Sequence, residues 1–70
     1  MSKVYEDDRG YCYRVEPGIG GEVFKARFLK PGKSTGHGVR VLPWRDTVEE
    51  AQRDLDLYAA RKGMQEVSNG

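Results

Sequence analysis

The segment from Asp46 to Gly63 constrains the fold more than any other, because it reads as an amphipathic helix with both ends marked. Thr47 and Glu50 stand at capping-box spacing. The threonine hydroxyl can accept from the N–H three residues on, and the glutamate can reach back. Asp46, Glu49 and Glu50 put negative charge where the helix dipole favours it. Val48, Ala51, Leu55, Tyr58 and Ala59 recur at helical spacing and form one apolar stripe, from which Leu57 points away. Arg61 and Lys62 close the last turn, and Gly63 supplies a left-handed cap. The spacing predicts a helix from about Val48 to Lys62. A single helix must bury its stripe on something, and the residues before it must supply a sheet.

Those residues read as three strands. Tyr11 to Glu16 alternates, with Tyr11, Tyr13 and Val15 on one side and Cys12, Arg14 and Glu16 on the other. Pro17 to Gly21 is a turn by composition. Glu22 to Leu29 follows, with Phe24, Ala26 and Phe28 opposed to Val23, Lys25, Arg27 and Leu29. Lys30 to Gly38 is a loop, and Val39 to Leu42 is a short third strand stopped by Pro43. Short connections favour an antiparallel meander. The expected fold is α+β: a three-stranded antiparallel β-meander packed on one C-terminal helix. The ordered core would run from residue 11 to 63, between a frayed acidic start (1–9) and a loose tail (64–70). Tyr11, Tyr13, Val15, Phe24, Ala26, Phe28, Val39 and Val41 would face the helix, and a bulge near Pro43 could turn Trp44 inward over its start. Arg14, Lys25, Arg27 and Arg40, together with Leu42, would share the opposite face.

Seventy residues make one domain and bury only roughly 60% of the unfolded surface. The few large apolar groups can fill one small core and cannot also line a deep substrate pocket. One cysteine, Cys12, rules out an internal disulfide. The N-terminus lacks the apolar run of a signal peptide, and no stretch has the length of a membrane span. The expected setting is cytoplasmic, with a reduced thiol.

The net charge of +1 conceals an uneven distribution. Between Val23 and Arg45 stand six basic residues and no acid: Lys25, Arg27, Lys30, Lys33, Arg40 and Arg45. Such a block attracts polyanions even in a nearly neutral molecule. An antiparallel sheet with one solvated face is also normally polar there, and lysine or arginine discourages edge pairing.

Catalytic and metal chemistry find little footing. Gly32-Lys33-Ser34-Thr35 has the ending of a phosphate-binding loop, but Arg27 stands where the first glycine is required. His37 and Cys12 are single residues of their kinds, which is too few for a zinc site and lacks the third group of a Cys–His catalytic arrangement. The helix acids Glu49, Glu50, Asp54 and Asp56 are accounted for by capping and solvation. No catalytic residue, metal, cofactor or small-molecule substrate is expected, and the chain is not expected to be an enzyme. Tyr13 and Phe28 are expected in the core; Trp44 is open to either a packing or a stacking role.

Asp46-Thr47-Val48-Glu49-Glu50-Ala51 looks like the helix opening of two related DNA-binding families, and Gly21 to Phe28 is similar to their second strand. These are the plant apetala/ethylene-response-factor domain and the arm-binding domain of phage and transposon integrases. The resemblance covers roughly residues 11 to 63. It implies a sheet that enters the major groove, with Arg14, Lys25, Arg27 and Arg40 as strand contacts and a setting in a phage or mobile element. Lys30 and Lys33 would add phosphate contacts from the loop, and Arg45 completes the basic set. The expected function is a small DNA-binding module acting on double-stranded DNA. The alternative is a protein-interaction module, an inhibitor or adaptor, motivated by the low net charge, the 30–38 loop and the exposed Leu42 and Leu57.

Overall fold

A computed structural model describes residues 3–67. The elements are β1 (Val4–Glu6), β2 (Cys12–Pro17), β3 (Phe24–Leu29), β4 (His37–Gly38), α1 (Val48–Lys62) and β5 (Gln65–Val67). The strands form one antiparallel sheet in the order β4-β3-β2-β1-β5. The architecture is therefore α+β with one helix, as expected, but the sheet has five strands and not three.

The helix has the predicted limits. Thr47 Oγ1 accepts from the Glu50 N–H at 3.1 Å, and Gly63 adopts φ 70° as the left-handed cap. Met64 N–H then reaches the Ala59 carbonyl at 2.9 Å, which turns the chain back toward the sheet. Leu55 and Ala59 are buried against Tyr5, Tyr13, Ala26 and Val39, and Ala51 is buried as well. Leu55 is wholly enclosed.

Both ends of the chain depart from expectation. Val4–Glu6 pairs with β2 and, on its other side, with β5, so the expected frayed start and loose tail each hold a strand. Residues 1, 2 and 68–70 of those expected ends lie outside the described residues. Polar contacts explain the docking of β1. Gln52, buried on the helix, accepts from the Lys3 N–H (3.1 Å) and donates to the Lys3 carbonyl (3.4 Å) and to Asp56 (2.9 Å). Asp56 in turn accepts from the Tyr5 hydroxyl at 2.7 Å. The acidic run after β1 is a turn held by Asp7, whose carboxylate accepts from the Arg9 and Tyr11 N–H groups, the Arg9 guanidinium and the Tyr13 hydroxyl.

The third expected strand is also displaced. β4 is only His37–Gly38, and Val39 to Leu42 is a turn closed by Leu42 N–H to the Val39 carbonyl. The turn is needed because Arg45 returns to pair with Phe24 at the start of β3, with hydrogen bonds of 2.7 and 2.8 Å. It buries Val39, packs Leu42 on the core instead of the cationic face, and leaves Val41 73% exposed instead of buried. Trp44 is 48% exposed and does not cover the helix start. Its ring lies over Gly18, where a Cβ would come within 2.8 Å.

Candidate nucleic-acid interface

Strand alternation and the pairing register decide which residues share the face away from α1. Arg14 pairs directly with Arg27, Glu16 with Lys25, Cys12 with Leu29, and Val4 with Val67. Since Tyr5, Tyr13 and Ala26 point toward the helix, these residues point the other way. Arg14, Lys25 and Arg27 therefore emerge together from β2 and β3.

Two arginines placed opposite each other repel. Glu16 offsets this from the same face: its carboxylate lies 2.8 Å from Arg14 Nε and 3.5 Å from Arg27 Nε. The second contact is an ion pair without hydrogen-bond alignment, so among the described residues the buried Arg27 Nε has no hydrogen-bond acceptor. The other end of that guanidinium donates to the Gly36 carbonyl. Arg14 is the freer of the two, with its side chain 52% exposed against 32%. The Lys25 ammonium lies 5.4 Å from the Trp44 ring centre and within reach of Gly38, which has no side chain to displace it.

Lys30 and Lys33 stand at the edge of this face. With Arg14 they rim an open groove of about 450 Å³ floored by Val4, Cys12, Leu29 and Val67. Lys30 and Lys33 also line a second recess with Ser34, Thr35 and His37, which adds hydroxyl-bearing residues to the cationic ones. Loop and sheet thus offer charge-assisted donors of the kind that bind phosphate oxygens.

The remaining two predicted contacts lie elsewhere. Arg40 sits in the turn after β4, beside Tyr58 and Val39 on the helix side of the sheet, so it does not join the other strand cations. Arg45 grips Asp54 of the helix through Nε (2.8 Å) and a terminal nitrogen (3.2 Å). That pairing raises the guanidinium pKa further above its usual range. Sequence reasoning missed Val4 and Val67 in the groove floor. Neither Val4-Tyr5-Glu6 nor Gln65-Glu66-Val67 alternates apolar with polar residues, so the sequence carries no local strand signal for them.

Comparison with protein-family models, with curated proteins and with solved structures gives no match. Among the described residues no helix is long and apolar enough to cross a membrane, and no cluster of three or more His, Cys, Asp or Glu side chains is placed to hold a metal ion.

Proposed function

We propose that this chain is a small nucleic-acid-binding module that lays the helix-free face of its sheet on duplex DNA and acts by binding, not by catalysis. The observation that carries the reading is the joint emergence of Arg14, Lys25 and Arg27 on that face, continued at its edge by Lys30 and Lys33. Charge of one sign, concentrated on one side, lets a molecule of low net charge engage phosphates. Shape supports the same reading. β2 and β3 pair over six residues, a ribbon about 20 Å long, and the major groove admits a two-stranded ribbon. This is the mode implied by the resemblance to the integrase arm-binding and apetala-type domains. The test is a titration of mixed-sequence duplex at low salt. Arg14→Ala should weaken binding by about 1–3 kcal/mol if it touches a base edge. Lys30→Ala and Lys33→Ala should weaken all sequences alike. A wild-type protein that retains no duplex at low salt would end the proposal.

A second reading, a protein-interaction module, is favoured by a different surface. Val41 and Leu57, 73% and 62% exposed, flank a shallow groove shared with Leu42 and Tyr58. On that reading Leu57→Lys abolishes partner binding while leaving any DNA affinity intact.

A further inference from the structure

The helix covers only part of the inner face of the sheet. It buries Tyr5, Tyr13 and Ala26 but leaves the end formed by the β1–β2 turn and the C-terminal end of β3 open. There the Tyr11 and Phe28 rings lie nearly parallel, 6° apart in plane and 5.9 Å between centres. Phe28 also meets Tyr13 at 5.7 Å and His37 at 5.8 Å. The Tyr11, Tyr13 and Phe28 rings, with Tyr58, line a groove of about 310 Å³. Its rim carries three cations, Arg9, Lys30 and Arg40, and among the described residues no carboxylate lines it. Asp7, which holds Arg9, is itself only 11% exposed beneath a guanidinium that is 63% exposed. Arg9 lies 4.2 Å over the Tyr11 ring and so offers a second flat cationic surface.

We infer that this groove binds an unpaired base of a single-stranded nucleic acid, on the side of the sheet opposite the duplex face. Aromatic rings and guanidinium planes are the surfaces on which unpaired bases stack. The cationic rim supplies partners for the flanking phosphates. The size fits one nucleotide and excludes a duplex, since small-ligand sites begin near about 300 Å³. Charge decides against a protein side chain as the occupant: three cations with no acid in the lining repel the basic and leave the acidic unselected by shape, whereas a nucleotide meets both the rings and the charge. Lys30 lines this groove and the open-face groove alike, so one backbone can pass from one to the other around the sheet edge.

The experiment is an anisotropy titration of a dye-labelled short oligothymidylate at low salt, with the ring protons of Tyr11 and Phe28 followed by NMR. Binding with upfield movement of those protons is expected. Tyr11→Leu, which keeps apolar volume but removes the ring, should weaken single-strand affinity by about 5- to 150-fold. Arg40→Ala, a change outside the core, should weaken it and lower the salt slope by about 0.7. Arg14→Ala should leave the ring-proton movement unchanged, which separates this site from the duplex face. No single-strand binding, binding that leaves the ring protons unmoved, or equal affinity in a folded Tyr11→Leu variant would overturn the assignment. So would self-association through the groove, seen by sedimentation and abolished by Tyr11→Leu, with no movement on adding oligonucleotide.

Discussion

Asp7 shows how much one side chain does in a chain this small. Burial works against its ionisation, but four hydrogen bonds, from the Tyr11 and Arg9 N–H groups, the Arg9 guanidinium and the Tyr13 hydroxyl, outweigh it and hold its pKa below the ordinary 3.8. A carboxyl depressed on folding stabilises the fold fully above its unfolded value and ceases to do so as pH falls through its folded one. Asp7→Ala is therefore expected to lower stability at neutral pH by about 1–3 kcal/mol. The deficit relative to wild type should shrink as the pH drops below 3.8, measured by urea unfolding across an acid series. Tyr5 and Tyr13 report the opposite end of the scale. Burial, and then hydrogen bonding to Asp56 and Asp7 respectively, pushes both phenols up to about 12. Their contribution is whole below pH 10 and is lost as the pH rises toward 12. Phenolate absorbance should show these two groups titrating late, at the pH where the helix signal is lost. If both ionise near pH 10 with the fold intact, their placement in the core is wrong.

Secondary-structure elements differ in how openly the sequence announces them. The helix was readable to the residue because its signals are local: a threonine cap, first-turn acids, a stripe at helical spacing and a glycine stop. β2 and β3 were readable because alternation extends over six residues in each. β1 and β5 were not, because three residues carry too little pattern and their partners are distant in sequence. The clue to β1 sat on the helix, in Gln52 and Asp56, which look like surface positions until Lys3 and Tyr5 arrive beside them. The third strand was misplaced because Val39 to Leu42 has strand residues in a place where the chain must turn to return Arg45 to β3. Of the candidate contacts, alternation correctly placed Arg14, Lys25 and Arg27 on one face. It misplaced Arg40 because it assumed a strand there. Arg45 lost its apparent freedom to Asp54, a pairing set by tertiary approach and invisible in spacing. Gln52→Ala should leave the Lys3 backbone groups without partners and cost about 1–3 kcal/mol. Hydrogen exchange should speed up first in residues 3–6 and 65–67, while the Leu55 core stays protected. Uniform loss of protection would mean that β1 is not a separately docked element.

The whole molecule separates its surfaces by the helix. One side of the sheet is sealed over most of its area, and the other presents cations from two adjacent strands and a flanking loop. Two acids share that face: Glu6, opposite Cys12, and Glu16, which holds both Arg14 and Arg27. A phosphate that binds the arginines must compete with Glu16. Glu16→Gln should therefore strengthen duplex binding, by about 0.2–1 kcal/mol, the usual worth of an exposed pair. It should also destabilise the free protein slightly, through the uncompensated Arg14–Arg27 approach. Weaker duplex binding in this variant would mean that Glu16 positions the arginines for DNA instead of restraining them.

The most direct measurement is the salt dependence of duplex affinity for the wild type and for Arg14→Ala, with Arg53→Ala on the exposed helix surface as reference. Five cations, Arg14, Lys25, Arg27, Lys30 and Lys33, belong to the face and its edge. If each neutralises a phosphate, the plot of log affinity against log salt falls with a slope of about −4.5. Arg14→Ala should reduce the steepness by about 0.9, and Arg53→Ala should leave it unchanged. A flat plot, or a slope that Arg53 alters and Arg14 does not, would contradict the claim that this face of the sheet meets the nucleic acid.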